Sequence, residues 1–476
     1  MLSVSSRGAI LRRKMAVLTA AVLGLVFPLL CAPAQAAPDA NATRSANATP
    51  SAKVVLIGRM IAGFYQGKGG NASTAIFVMH ETANFIGAPP CVQLAKRGFT
   101  ALCAKSQFDA DGQVNWDQLA LDVGQGVSYL RSAPGVRHVI LVGWSGGAPI
   151  MAYYQNVAEN GLAACQAPAR LDPCSKRLAK LPPADGVVLL DGIPGLAFTN
   201  MSALDPSLDR PDGLTSHRNP SLYLFNAKNG WNSSQMQSSA YSRPFADRYT
   251  RAEAAREAKL VSMAERLKKR IAAGKGAFTD NAPFPVGHDG ARIWSQDTKL
   301  LSHTKGAYPL ITPKNPSGKV QTIYSVRVPA AAGIHNSTPR GNDSWGAGQG
   351  AYSVKSFLSI SAIKAPDYRL TEDSIEGVDW ASTNTATVSN VAGISAPLLI
   401  MSMTGHYWLV PSEMYYQAAK KSRSKTLAFV YGALHTFTPC KVCSTPLGPF
   451  GDTVGETFDY VANWLNTHFP NRPRGG

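Results

Sequence analysis

The sequence predicts an α/β protein: a mostly parallel central sheet flanked by helices, with a large cap insertion. Three observations carry this. Short apolar runs alternate with helix-period segments over residues 53–195, and the same rhythm returns over residues 396–469 after a long break. Between the apolar run Val139 to Val142 and a helix-like run opening at Ala148-Pro149 stands Gly143-Trp144-Ser145-Gly146-Gly147, a sharp strand-to-helix turn by its small residues.

In chain order, Val54 to Ile57 and Arg59 to Phe64 read as an opening strand pair, Thr74 to Met79 and Gly98 to Ala104 as buried strands, with a helical stretch through Val92 to Lys96 between the last two. Trp116, Leu119, Val123, Val127 and Leu130 recur at helical spacing and lead into the Val139 strand. Pro149 suits a first helical turn and Gly161 a stop. Gly186 to Leu190 is a sixth strand, ending at Asp191. From residue 196 to 395 the rhythm gives way to irregular Pro-, Asn- and Ser-rich sequence, read as a cap or lid insertion. Its one conspicuous helix, Arg248 to Ala273, has a narrow apolar stripe of Leu260, Met263, Leu267 and Ile271, as expected of a largely solvated helix on a lid. Regular structure resumes with a strand at Pro397 to Met403, a helix at Ser412 to Lys421, a strand at Thr426 to Tyr431 and a closing helix carrying Phe458, Val461 and Leu465 on one face. Residues 53–195 and 396–476 are thus the two parts of one core.

The N-terminus reads as an export signal over residues 1–36: Arg7, Arg12, Arg13 and Lys14, then an apolar run from Met15 to Leu30, then Ala34-Gln35-Ala36 as a cleavage site. Residues 37–52 are small and polar, with no apolar periodicity, and read as a disordered leader. The expected location is therefore secreted or periplasmic, with no stable membrane span once the signal is cleaved. Cleavage removes four basic residues and no acidic ones from a chain of formal charge +17, leaving +13. The Lys and Arg residues are scattered and not interleaved with aromatics, so no nucleic-acid partner is expected. Six cysteines remain beyond Cys31, an even number for an oxidising compartment. Short loops favour the pairs Cys91–Cys103, Cys165–Cys174 and Cys440–Cys443 among fifteen possible pairings.

The strand-turn-helix context raises the Ser145 hydroxyl above the sheet and sets the Gly146 N–H at a helix N-terminus, where it favours a developing oxyanion. A serine used as a nucleophile needs a base. Of the nine histidines, His435 stands just beyond the last strand with the closing helix still to follow.

On these motifs the chain resembles the α/β-hydrolase superfamily, over most of residues 53–195 and 396–469. The resemblance implies Ser145 as nucleophile and His435 as base. It also implies an oxyanion-hole donor in the loop after the third strand, where the family carries His-Gly. Here the loop reads Met79-His80-Glu81-Thr82, so the implied donor is Thr82, or Glu81 if the register lies one residue earlier, with His80 shaping the loop. The usual acid position, Gly405 to Pro411, has no carboxylate. The acid is therefore Asp191, placed after the sixth strand as in some lipase-like members, or Glu413; Asp191 is preferred. His406, Tyr407 and Trp408 are expected to line the pocket mouth. The expected activity is that of an exported serine hydrolase cleaving a small-molecule or polymeric carboxylic ester with no metal or organic cofactor. An amidase, peptidase or acyltransferase would use the same residues, and a non-catalytic envelope-binding protein on the same fold is the rival from another class.

Overall fold

Strands that carry no polar face must be covered on both sides, and the apolar runs of this chain form such strands. The computed structural model describes residues 50–210, 217–234, 237–288, 292–329 and 348–470. The expected signal and nearly all of the leader lie outside the described residues. The strands are β1 (Lys53–Ile57), β2 (Met60–Tyr65), β3 (Thr74–Val78), β4 (Thr100–Ala104), β5 (His138–Trp144), β6 (Gly186–Leu190), β7 (Pro283–His288), β8 (His303–Thr312), β9 (Asn315–Tyr324), β10 (Gly348–Ser353), β11 (Arg369–Leu370), β12 (Ile375–Glu376), β13 (Leu398–Met403) and β14 (Lys425–Val430).

Among the described residues, ten of these form one sheet in the order β1-β2-β4-β3-β5-β6-β13-β14-β8-β9. The interior pairs, from β4–β3 through β14–β8, are parallel, and the pairs at both ends are antiparallel. Alternate residues serve opposite faces: Phe77, Leu141, Leu189 and Phe429 pack on one side, Ile76, Val142, Val188 and Val430 on the other.

The helices are α1 (Pro89–Lys96), α2 (Trp116–Ser132), α3 (Gly147–Asn160), α4 (Leu196–Met201), α5 (Arg243–Ala272), α6 (Ile293–Gln296), α7 (Val354–Ser356), α8 (Thr387–Val391), α9 (Leu409–Ala418) and α10 (Thr453–His468). Asn115 starts α2 by accepting the Gln118 N–H, and all five expected apolar residues of α2 are buried. Gly161, at φ 65°, ends α3. No helix among the described residues is long and apolar enough to cross a membrane. The three expected cysteine pairs stand at bonding distance: Cys91–Cys103, Cys165–Cys174 and Cys440–Cys443.

Two expectations are corrected. The stretch read as irregular contains the hairpin β8–β9, and β8 joins the central sheet by pairing Leu310 and Ile311 with Phe429 and Val430 of β14. Gly306, Pro309, Pro316 and Gly318 hide the alternation of this hairpin in the sequence. Its effect is to cover β14, which would otherwise be an open sheet edge. The insertion is thus partly core. The second correction concerns α5, which begins at Arg243 with Ser242 accepting the Phe245 N–H, and which turns Glu253, Arg256 and Glu257 inward together with Leu260, Val261 and Ala264.

Helix α9 starts three residues before the expected Ser412, with Pro411 accommodated in its first turn. The Glu413 carboxylate accepts the N–H groups of Lys305 (2.9 Å) and Gly306 (2.8 Å) and the Tyr308 hydroxyl (2.9 Å), tying α9 to β8. Replacing Glu413 by alanine strands two backbone donors, so we expect Glu413→Ala to lower unfolding free energy by about 3 kcal/mol, measured by chemical denaturation. A second expectation concerns Glu257, which accepts the Ile363 N–H and is pushed up to about 8 by burial. A carboxyl raised in the fold above its ordinary 4.5 contributes stability in full below that value and loses it as pH rises toward about 8. Thermal melts across that window should show a falling Tm, with a shallower fall in Glu257→Gln.

Candidate active site

The turn after β5 is built by exclusion of side chains. A Cβ on Gly143 would lie 2.6 Å from Ala148 Cα, and one on Gly147 would lie 2.5 Å from the Met79 carbonyl oxygen. Only glycine allows α3 to fold back this closely on β5 and on the loop after β3. Between them Ser145 adopts φ 58°, a left-handed conformation that costs energy for a residue with a Cβ and clusters at functional sites. The Ser145 N–H donates to Leu190 O (3.3 Å), and Ser145 O accepts from the Ile193 N–H (3.2 Å), so the turn after β5 is braced by the turn after β6. The side chain is nearly buried, at 6% exposure.

The neighbouring turn repeats the device. Asp191 has φ 45° at the end of β6 and is fully buried. Its Oδ1 accepts from the Ser402 hydroxyl (2.9 Å) and the Met403 N–H (3.2 Å). Its Oδ2 lies 2.6 Å from Nδ1 of His435 and 2.6 Å from Nδ1 of His406. Burial pushes this carboxyl up, but the imidazoles of His406 and then His435 outweigh it and hold it well below the usual carboxylate range. The two imidazole rings stack with centroids 4.5 Å apart. His406 is lowered to about 4, chiefly by burial, so it is neutral at pH 7.

The sequence candidates thus divide. Ser145, Asp191 and His435 come together at the ends of β5, β6 and β14. Among the described residues Ser145 Oγ makes no hydrogen bond to His435; the two are linked through Trp144, whose Nε1 donates to His435 O (2.9 Å) and whose ring lies 5.4 Å from the imidazole. Glu413 is elsewhere, pinned to β8. His80 Nδ1 accepts the N–H groups of Thr82 (3.2 Å) and Ala83 (3.0 Å). The Thr82 N–H, expected to face an oxyanion, is therefore turned onto His80. His406, Tyr407 and Trp408 were expected to line the pocket mouth. They are buried, with Tyr407 and Trp408 packed edge-on against Trp294 of the insertion at 4.9 and 5.1 Å.

Three roles were not read from the sequence. Trp144 stacks on Phe85 (5.0 Å) and holds the His435 loop; its place inside the glycine-rich turn was the available signal. Ser402, inside an apolar strand, was a signal of the same kind. Glu81, fully buried against Gly146, was visible as a carboxylate where the resembled family has glycine. Chemically, a carboxylate that fixes His435 Nδ1–H leaves Nε2 as a proton acceptor toward the elbow. Asp191, His406 and His435 also have ligand atoms within 4.8 Å of one another, the spacing of a metal site, but both Nδ1 atoms already converge on Oδ2.

No family model matches the sequence, and no curated protein matches it. Solved structures do. The siderophore hydrolase EstB from Aspergillus fumigatus is 10% identical over 89% of this chain and 99% of its own, with a TM-score of 0.41. Est1E from Butyrivibrio proteoclasticus is 10% identical over 88% and 98%, with a TM-score of 0.36. A soluble variant of monoglyceride lipase from Saccharomyces cerevisiae is 12% identical over 89% and 96%, with a TM-score of 0.37. The chain is thus an α/β protein, with a mostly parallel sheet flanked by helices, a strained serine between β5 and α3, and a histidine after the last parallel core strand.

Proposed function

We propose that the protein is an exported serine hydrolase that cleaves a carboxylic ester through an acyl-enzyme on Ser145. The observation that carries the reading is the 2.6 Å contact between Asp191 Oδ2 and His435 Nδ1, next to a serine held at φ 58° on a strand-to-helix turn.

In this mechanism the Ser145 hydroxyl gives its proton to His435 Nε2 as Oγ bonds to the ester carbonyl carbon. Asp191, kept ionised, holds the tautomer and stabilises the imidazolium. The oxyanion forms where the Gly146 N–H, at the start of α3, has no helical partner. The carbon–oxygen bond to the alcohol then breaks, and the alkoxide takes the proton from His435. Water repeats the sequence on the acyl-enzyme, freeing the acid and restoring Ser145. The contact from Ser145 to His435 tightens as substrate fills the site.

Export is supported by the basic, apolar and small-residue order of residues 1–36 and by three paired sets of cysteines. Residues 196–395 serve as the substrate-selecting cap in addition to supplying the hairpin; Trp294, seated over Tyr407 and Trp408, supports this.

The test is hydrolysis of p-nitrophenyl esters from acetate to palmitate by the mature protein. We expect Ser145→Ala to abolish turnover and Asp191→Asn to lower kcat by about 10⁴-fold, with chain-length preference reporting pocket size. Equal, negligible rates in wild type and Ser145→Ala would instead favour a binding protein or a narrow amidase.

A further inference from the structure

Glu81 is an ionisable group beside the elbow that the mechanism above leaves unused. It is fully buried, and neither carboxyl oxygen has a hydrogen-bond partner. A Cβ built on Gly146 would fall 1.9 Å from Oε2 and 2.0 Å from Oε1, so the carboxyl fills the space that a side chain at the residue after the nucleophile would take. Glycine at 146 and glutamate at 81 are complementary in size. Of the two backbone donors expected from this loop, the preferred one is spent elsewhere, because the Thr82 N–H is on His80 Nδ1.

The same contacts bear on the carboxyl's proton. Because His80 Nδ1 accepts two N–H groups, it carries no hydrogen, and burial, with His435 nearby, pushes this imidazole down to about 3. Its 3.1 Å approach to Glu81 Oε2 is therefore not an ion pair. A carboxylate there would set its negative charge against the Nδ1 lone pair, which disfavours the ionised form. Burial, and then the charge of Asp111, push the Glu81 carboxyl well above the usual range, and a carboxylic acid kept neutral by its surroundings is a competent oxyanion donor.

We propose that the Glu81 carboxyl group is the second donor of the oxyanion hole, presenting its O–H to the oxyanion beside the Gly146 N–H. The inference rests on the acyl-enzyme reading above. It gives a chemical reason for a glutamate where the resembled family has glycine: a side-chain acid takes over from a backbone N–H. The substrate carbonyl then meets one donor fixed by a helix and one fixed by packing against Gly146.

The experiment compares wild type with Glu81→Gln, which keeps a donor, and Glu81→Met, which keeps volume without one. Two rates are read: fluorophosphonate labelling of Ser145, and kcat on p-nitrophenyl acetate with KM measured separately. Thermal melts establish that each variant is folded. The expected result is a loss of about 10²- to 10³-fold in kcat and labelling for Glu81→Met with KM little changed, and a loss within about tenfold for Glu81→Gln. Rates in Glu81→Met equal to wild type would overturn the proposal, as would equal losses in both variants. Faster rates in Glu81→Met would mean that the carboxyl obstructs the hole, and would overturn it too. If Ser145→Ala abolishes labelling while the Glu81 proteins label alike, the acyl-enzyme reading stands and this inference falls; if wild type and Ser145→Ala are alike, both fall.

Discussion

A fully buried carboxylate has to be compensated by donors, and the site is arranged around that requirement at Asp191. Its two oxygens receive the Ser402 hydroxyl, the Met403 N–H and the Nδ1 atoms of two histidines. These donors come from β13, from the loop after β13 and from the loop after β14. Asp191 itself sits at the end of β6, whose turn also braces Ser145. The compensation therefore succeeds only if β5, β6, β13 and β14 lie side by side in one register, which links the chemistry of the site to the integrity of the sheet.

The insertion contributes at both levels. Its hairpin covers the β14 edge, and its Trp294 packs over the Tyr407-Trp408 pair that follows His406. Carboxyl groups are buried in both parts of the chain: Glu253 and Glu257 on α5 of the insertion, and Glu81 at the elbow. A chain with a basic overall balance thus keeps several acids in its interior, each shifted toward its neutral form by burial. Such groups cost stability at high pH. At Glu81 the cost coincides with a position beside the proposed nucleophile, where strain and unfavourable burial are concentrated in functional proteins.

Much of the core was legible because its signals are local. Val139 to Val142, Gly186 to Leu190 and the stripe from Trp116 to Leu130 are set by apolar period, and the elbow by the need for small residues around Ser145. His435 was legible from its place between the last parallel core strand and the last helix. The hairpin was not, because its glycines and prolines break the alternation while pairing with β14 restores the strand. The inward face of α5 was misread for a related reason: Glu253 and Glu257 look solvated to any rule of composition.

The sequence by itself determined the strands and helices of residues 53–195 and 396–469, the tight turn at Ser145 and the histidine after β14, since each follows from steric limits and periodicity within a few residues. The tertiary structure alone set Asp191 beside His435 and Glu413 against β8, brought His406 onto the same carboxylate oxygen as His435, turned the Thr82 N–H onto His80 and packed Glu81 against Gly146. Those outcomes depend on which strands become neighbours and in what register. In Asp191 and His435, for instance, the partners are separated by 244 residues, and no local property of either segment specifies the 2.6 Å contact between them.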